Sequence, residues 1–398
     1  MANRKLILGV STLTSFILLT MVTMLLVGAP SASGAQTPPM PRQIIFGTHE
    51  VGTGAYHVIA LVIESIIQKY PQMKVLAVPN GVDISRAIML RLGDINVGMA
   101  PAATALALQD GLVEYAAMEW GPQRIRYLWL PQTPGNVMAV LGKSNIYKIE
   151  DLKGRTVANY PPSPGPVQIT ESFLAFGGLT WRDVVNVDYP SAAPSYRALL
   201  DGKLDSCFWN IGGSAAYEGA ALPGGIRYLP MPASDVEGWK RLRGVMPSAK
   251  PRLATVGGGI SKDKPAAVAT FAYPSMICFN SLPEDTAYWV SRTVNETYDL
   301  FKLKDKVLEA DWSMNITFDL WDDDHVPMHP GAVRYFKEIG VWTPAREKMQ
   351  MERLKHQDEV QALWKETLAE AQGKKMKSSD FPKFWMQKRA AKKWFTRL

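Results

Sequence analysis

Short apolar runs and amphipathic helical segments alternate over residues 43–99, and this order restricts the fold more than any other feature of the chain. Strands are predicted at residues 43–48, 73–78 and 95–99, with helices between them at residues 55–70 and 83–92. Pro71 ends the first helix and Gly93 the second. Successive strands joined by helices require a parallel sheet with right-handed crossovers. The chain is therefore predicted to have an α/β fold.

A second α/β segment follows a break at residues 131–135. Its strands are predicted at residues 136–141, 184–187 and 204–209. After Arg252 the chain is expected to return to the first segment through residues 267–278 and a helix at residues 283–301. We predict a hinged clamshell of two α/β lobes. Lobe 1 is assigned to residues 43–135 and 255–341, and lobe 2 to residues 136–254.

The N-terminus has the composition of an export signal. Basic residues precede an apolar run at residues 6–27, and a small, flexible segment follows. Ser33 and Ala35 satisfy the small-x-small rule, so residues 1–35 are predicted to be a signal peptide, cut after Ala35 or else after Ser33. Because the run is long enough to cross a bilayer, an uncleaved anchor in the inner membrane is the alternative.

The positive charge of the chain is concentrated at its C-terminus. The formal net charge is +7, and residues 373–398 contain nine Lys or Arg and one acidic residue, Asp380. No nucleic-acid motif accompanies this basicity, so nucleic acid is not predicted as a partner. The tail follows a predicted helix at residues 342–372 and alternates Lys with aromatics, which suits an anionic membrane surface or an acidic partner. The alternative is a solvated tail with one or two docked aromatics; the candidates are Phe381, Phe384, Trp385, Trp394 and Phe395.

Cys207 and Cys278 each lie in an apolar run typical of a strand. A disulfide between them would fix the hinge, because we place the two strands in different lobes. Free cysteine behaves as a small buried hydrophobe, so two buried thiols are favoured over a disulfide.

Residues 325–341 combine a proline-bracketed turn with an amphipathic helix. Pro327 and Pro330 fix φ and remove two backbone donors, and Gly331 permits close approach of another backbone. The apolar residues that follow recur at helical spacing until Gly340, and they are Val333, Phe336 and Ile339. The segment is therefore predicted to have a single, restricted backbone conformation.

Four segments of the chain, in this order and together with an export signal, resemble the TAXI group of TRAP transporter solute receptors. They are Gly47-Thr48 with Gly52 and Tyr56, Leu92-Gly93-Asp94 with Val97-Gly98, Ala198 to Asp205 with Gly212, and Val326 to Tyr335. The resemblance implies a type II periplasmic-binding fold. It also implies a periplasmic receptor that passes a small organic anion or amino acid to the membrane subunits of a TRAP transporter, without a cofactor or a metal.

In such a fold the ligand is expected at the C-terminal ends of strands, where helix N-termini offer free N–H groups. The first loop of this kind contains Thr48, Gly52, Thr53 and Tyr56. Their hydroxyls and the bare glycine backbone can reach a carboxylate. The alternative is a tight turn that needs glycine only for packing.

The second loop presents Asp83 and Arg86 where the resemblance would place a Gly-Ser pair and, three residues on, an Asn. Arg86 is predicted to fork to a ligand carboxylate, a charged hydrogen bond worth about 1.5–3 kcal/mol. Asp83 is predicted either to cap the helix or to bind a ligand ammonium group. In the alternative reading, Arg86 is a surface charge or the local partner of Asp83.

The third loop departs further from the family pattern, since Pro-Gly-Ser-Gly-Thr is replaced by Pro-Ser-Pro-Gly-Pro at residues 162–166. Because proline has no N–H, anion binding there would depend on the remaining donors and the helix dipole. The predicted site residues are Ser163, Gly165, and the amides of Val167 and Gln168.

Trp209 and Asn210 stand at the end of a predicted strand, as do Trp129 and Tyr160. They are predicted to give the pocket a partly aromatic wall around one or two polar anchors, or else to belong to the core.

An enzyme is not predicted. His325 and His329 have a four-residue spacing, but Pro327 breaks the helix that a metal site of this spacing would need. His49-Glu50 is an acid/base pair without a supporting nucleophile, paired-cysteine motif or phosphate loop. The alternative function is a membrane-anchored ligand sensor that uses the same clamshell to signal to a partner protein.

Overall fold

The computed structural model of the protein describes residues 37–161, 163–392 and 394. The chain divides into the units Met1–Pro39 and Met40–Leu398, and the features below belong to the second unit. The signal peptide predicted at residues 1–35 lies outside the described residues, as do Pro162 and Phe395. None of the helices in the described residues has the length and apolar character that crossing a membrane requires.

Strands and helices alternate through most of this unit. The strands are β1 (Gln43–Thr48), β2 (Lys74–Pro79), β3 (Val97–Ala100), β4 (Ile125–Trp129), β5 (Asn136–Leu141), β6 (Thr156–Asn159), β7 (Val185–Asp188), β8 (Cys207–Asn210), β9 (Ile226–Leu229), β10 (Lys250–Ala254), β11 (Ala266–Thr270) and β12 (Ser275–Phe279). The helices are α1 (Gly54–Lys69), α2 (Asp83–Leu92), α3 (Ala102–Asp110), α4 (Pro164–Phe176), α5 (Ala192–Leu200), α6 (Ser214–Ala221), α7 (Val236–Val245), α8 (Glu284–Glu296), α9 (Tyr298–Phe301), α10 (Lys306–Asp311), α11 (Met314–Trp321), α12 (Pro330–Glu338), α13 (Pro344–Gly373) and α14 (Phe381–Ala390).

A largely parallel sheet forms the centre of the first lobe. Its strand order is β2-β1-β3-β12-β4. β1 is parallel to β2 and β3, whereas β12 runs antiparallel to β3 and β4. Parallel neighbours need crossover connections, which α1 and α2 supply. The buried face of α1 carries apolar residues at helical spacing: Val58, Ile59, Val62, Ile63 and Ile66.

The second lobe contains a sheet of the order β10-β11-β5-β8, with β9 also paired to β5, and a two-stranded sheet of β6 and β7. The pairs around β5 are antiparallel, whereas β6 and β7 are parallel. A hydrophobic cluster separate from that of the first sheet fills this lobe. The predicted fold class, two α/β lobes that each bury their own core, is confirmed.

The chain returns to the first lobe later than predicted. β11 pairs antiparallel with β10 and with β5, so it belongs to the second sheet. The predicted return through residues 267–278 therefore contains two strands in different sheets, since β12 joins β3 and β4. A lobe boundary at residue 255 is too early. The sequence does not reveal this, because both strands are similarly apolar.

Both cysteines are free and buried, as predicted. Cys207 lies in β8 of the second sheet and Cys278 in β12 of the first. Burial raises the pKa of both thiols, so neither is a reactive thiolate at neutral pH.

The C-terminal helices α13 and α14 pack on the first lobe. Gln350 of α13 exchanges hydrogen bonds of 2.9 and 2.8 Å with the backbone of Met328. In α14, the indole of Trp385 donates to the carbonyl of Gly111 at 2.6 Å. Phe381 and Trp385 are fully buried, so these two aromatics dock on the protein, as in the second of the two alternatives for the tail. Contact of the tail with a membrane surface stays a prediction.

Candidate ligand-binding site

Loops of the two lobes touch one another at three places. The loop after β1 reaches Ser214, the N-terminus of α2 reaches Ser163, and Glu50 reaches the N-terminus of α5. Residues selected from the sequence in both lobes are thus brought together near the ends of β1, β2 and β8.

The first loop makes mainly local hydrogen bonds. Thr48 is buried and donates from Oγ1 to the carbonyl of His49 at 3.0 Å. Thr53 is the N-cap of α1 and accepts from the amide of Tyr56 at 3.2 Å. The carbonyl of Gly52, a residue with a positive φ of 91°, accepts a hydrogen bond from Ser214 of the second lobe at 2.8 Å. These contacts support the packing role of the turn and leave its ligand role as a prediction.

The backbones of the two lobes also come close together at Gly54, the first residue of α1. A Cβ at this position would lie 2.6 Å from Oδ1 of Asn210 and 3.1 Å from the backbone of Gly213. Only glycine therefore fits between α1 and the loop after β8 without a shift of the backbone.

Asp83 and Arg86 form a buried ion pair. Arg86 also donates from Nε to the carbonyl of Met99 at 3.1 Å and from Nη1 to the carbonyl of Asn80. The prediction that Asp83 caps α2 is wrong, because Val82 is the N-cap and no side chain caps the helix. The reading of Arg86 as the local partner of Asp83 is confirmed.

The carboxylate of Asp83 also faces the second lobe. Within the first lobe, Thr104 donates to Oδ2 of Asp83 at 2.7 Å. The backbone amide of Asp83 donates to Oγ of Ser163 in the second lobe at 3.2 Å. A Cβ on Gly165 would lie 2.9 Å from the same oxygen. The second and third loops are therefore in direct contact, and a carboxylate of the first lobe lies beside the N-terminus of α4.

The third loop offers fewer donors than predicted. α4 begins at Pro164, so the amide of Val167 is already bonded to the carbonyl of Ser163 at 3.2 Å. The side chain of Gln168 donates to the carbonyl of Val245 at 3.0 Å. An anion at this loop would depend on Ser163 and on the helix dipole.

Trp209 and Asn210 are both buried at the end of β8. Asn210 donates to Oγ1 of Thr133 at 3.1 Å and accepts from the amide of Gly212 at 3.0 Å. Trp209 packs on Tyr196 with ring centroids 4.5 Å apart, and its Nε1 has no hydrogen-bond partner among the described residues. A buried N–H without an acceptor is costly, which makes this indole a candidate donor to a ligand.

His49 is a site residue that the sequence analysis considered only as an acid/base group. It is buried, its Nε2 lies 3.3 Å from Nη2 of Arg86, and its ring meets Tyr273 edge-to-face at 5.1 Å. Burial, and secondarily the charge of Arg86, holds the pKa of His49 well below its usual value. Because Nε2 of the neutral ring faces a donor, the proton belongs on Nδ1, which has no partner in the described part of the chain.

Glu50 makes the third contact between the lobes, and the sequence gives no signal for it. Its Oε1 accepts from the backbone amide of Ala193 at 2.7 Å, and its Oε2 from Oγ of Ser191 at 2.8 Å. A Cβ on Gly81 would lie 2.7 Å from Oε2, so glycine is needed there to admit the carboxylate.

An ion pair with a buried carboxylate joins the lobes away from these loops. Arg252 of β10 donates to Oδ1 of Asp311 in α10 at 2.6 Å. The second oxygen, Oδ2, has no hydrogen-bond partner among the described residues. Burial raises the pKa of Asp311 to about 6, although Arg252 favours the charged form.

The Asp311 carboxyl should make the stability of the protein depend on pH. Because the folded state disfavours its charged form, stability falls as the pH rises from about 4 to about 6, with a total loss of roughly 3 kcal/mol. Asp311→Asn removes the titration, so its unfolding free energy relative to the wild type should increase over this range. Urea denaturation at several pH values measures this difference in unfolding free energy. Asp263→Asn, at an exposed aspartate, serves as the control. A difference that does not change with pH would contradict the prediction.

Among the residues that the structure describes, no group of three or more His, Cys, Asp or Glu side chains is placed to hold a metal ion. The arrangement brings polar groups of both lobes into direct contact.

A model of the NMT1-like family matches residues 46–340. The matched range begins in β1 and ends after α12, so it spans both lobes and leaves out α13 and α14. The chain is also similar to the alkanesulfonate-binding protein SsuA from Xanthomonas axonopodis pv. citri bound to MOPS, with 16% identity over 79% of this chain and 85% of that chain and a TM-score of 0.45. It is similar as well to the periplasmic aliphatic sulphonate binding protein SsuA from Escherichia coli, with 16% identity over 84% of this chain and 94% of that chain and a TM-score of 0.43.

Proposed function

Because the chain belongs to the NMT1-like family, we propose that it is an extracytoplasmic solute-binding receptor that captures a small organic anion or amino acid between its two lobes. The observation that carries the proposal is the contact between the two lobes at Glu50, which accepts hydrogen bonds from Ser191 and Ala193. Each lobe also has a buried donor without a partner among the described residues, Nδ1 of His49 in the first and Nε1 of Trp209 in the second. The resemblance of the four segments to TAXI receptors supports the membrane subunits of a TRAP-type transporter as partners. It also supports a periplasmic location, with residues 1–35 as the export signal.

Binding in this proposal involves no chemical step. The ligand first contacts one lobe, and contacts to the other lobe then favour the closed arrangement over the open one. A ligand that made the same contacts in both arrangements would not shift the equilibrium between the open and closed forms. The membrane subunits would recognise the closed form.

The proposed binding groups are of two kinds. The direct donors are Nδ1 of His49 and Nε1 of Trp209, together with the loop at residues 48–56. Arg86, Asp83 and Ser163 hold the loops against one another, since their polar groups are bonded within the protein.

A thermal-shift screen tests the proposal. Amino acids, dicarboxylates, 2-oxoacids and aromatic acids are added to the purified protein, and a ligand at about 100 times its Kd should stabilise the folded state by about 2.7 kcal/mol. His49→Ala should abolish the shift, because the ligand loses its donor. His57→Ala, at a half-exposed histidine of α1 that pairs with Asp305, serves as the control. If no compound of the four classes changes the melting temperature, the proposed ligand class is wrong.

A further inference from the structure

The N-terminus of α5 already holds a carboxylate that belongs to the protein. Each oxygen of Glu50 accepts one hydrogen bond, Oε1 from the amide of Ala193 and Oε2 from the hydroxyl of Ser191, at 2.7 and 2.8 Å. Two donors that each bind one oxygen of the same group fit the planar shape of a carboxylate. The positive end of the helix dipole favours the negative charge at this place.

No basic side chain of the described residues forms an ion pair with Glu50. Its charge is compensated by the hydroxyl of Ser191 and the first turn of α5. The contact therefore depends on donors that belong to the second lobe, whereas Glu50 belongs to the loop after β1 of the first lobe. Separation of the lobes would break both hydrogen bonds.

An unused donor belongs to the residue that precedes Glu50 in the chain. His49, the neighbour of Glu50 in the chain, is only 8% exposed, and its Nδ1 has no partner among the described residues. The ring of His49 meets Tyr273. Burial raises the pKa of both Tyr273 and Tyr196, which shows that this part of the protein is shielded from solvent. The same enclosed region thus contains an occupied carboxylate site and a buried donor without an acceptor.

We propose that Glu50 is an internal competitor of the ligand, and that the ligand is a carboxylic acid whose carboxylate must displace that of Glu50 from Ser191 and Ala193. This inference rests on the proposed function, because it concerns the same site. Each donor carries one proton and cannot serve two carboxylates at full strength, so ligand binding and the Glu50 contact exclude one another. Glu50 therefore lowers the apparent affinity for the ligand. The apparent Kd equals the intrinsic Kd divided by the fraction of receptor molecules in which Glu50 is not bonded to Ser191 and Ala193.

Glu50→Gln weakens the hydrogen bonding of residue 50 to Ser191 and Ala193 and preserves the size of the side chain. The amide nitrogen of Gln cannot accept a hydrogen bond, so the variant loses one of the two contacts. With glutarate, pyruvate and L-glutamate as probes, calorimetric titration should give affinities about tenfold higher for the variant than for the wild type, a change that corresponds to about 1.4 kcal/mol. Glu64→Gln, at an exposed glutamate of the same lobe, should leave these affinities unchanged. Adding Ser191→Ala to Glu50→Gln should remove the gain, because the ligand then loses the same donor.

A distance measurement tests the Glu50 contact without any ligand. Spin labels are placed at Leu92→Cys in the first lobe and Val236→Cys in the second, which are 70% and 69% exposed, and the native cysteines stay unlabelled because they are fully buried. Glu50→Gln and, separately, Ser191→Ala should shift the distance distribution to longer values, and Glu64→Gln should not.

The outcomes separate this inference from the proposed function. Unchanged distances in both the Glu50 and the Ser191 variants would overturn the role of Glu50, whatever the ligand is. If the distances shift but none of the three carboxylates binds more tightly to Glu50→Gln, competition with a carboxylate ligand is overturned. If screening then finds a ligand of another chemical class, the protein is still a solute receptor, but Glu50 does not compete with its ligand.

Discussion

Replacement of Arg86 with Met is expected to lower the free energy of unfolding by about 3–5 kcal/mol, because it leaves the carboxylate of Asp83 buried without its cation. Asp83 and Arg86 are 3% and 2% exposed, so solvent cannot replace the lost partner. The carbonyls of Met99 and Asn80 lose their donor in the same variant. Urea denaturation followed by circular dichroism measures the change.

A matched control is the exposed pair Arg197–Glu218 of the second lobe, whose side chains are 62% and 47% exposed. Arg197→Met should cost about 1 kcal/mol or less, as expected for an ion pair in water. Adding Asp83→Asn to Arg86→Met should restore part of the loss, since the buried charge is removed. If Arg86→Met is as stable as Arg197→Met, the pair does not carry the stability assigned to it.

Replacement of Trp385 with Ala is expected to cost about 3–5 kcal/mol, the range for removing a large aromatic side chain from a core. The indole is fully buried in a cluster with Trp364 and Phe381, with ring centroids of Trp364 and Trp385 4.9 Å apart. Its hydrogen bond to Gly111 is lost as well. Denaturation and limited proteolysis together measure the loss and show whether α14 is released.

The control for this variant is the neighbouring Phe384→Ala, because Phe384 is only partly buried against the same cluster. It should cost much less than Trp385→Ala. Equal and small effects for the two variants would mean that α14 does not contribute to the core of the first lobe in solution.

The order of elements in residues 43–99 can be predicted from the sequence because each signal is local. Apolar runs, Pro71 and Gly93 set the bounds of β1 to β3 and of α1 and α2 within a few residues. The burial of Cys207 and Cys278 follows from the runs around them in the same way. The position of β11 cannot be predicted from local runs, because its pairing with β10 and β5 depends on packing across the second sheet.

The contacts of the candidate site are harder to predict than its location. The sequence places Asp83 and Arg86 on one helical turn, but the preference for a local ion pair depends on the carbonyls of Met99 and Asn80, which only the fold brings near. The sequence gives no signal for the contacts of Glu50, since its partners Ser191 and Ala193 are 141 and 143 residues away in the chain. Long-range choices of this kind are decided by tertiary structure.

The buried ion pair between Asp110 and Arg389 also has a consequence for the order of folding. The two residues are 279 positions apart, and Arg389 lies in α14, the last helix among the described residues. The first lobe therefore cannot complete its core before nearly the whole chain is available, whereas the strands of the second lobe all lie between Asn136 and Thr270. Contacts over long sequence separations form slowly, because the intervening chain must first be closed into a loop. During synthesis the second lobe should mature first, although the first lobe begins the chain.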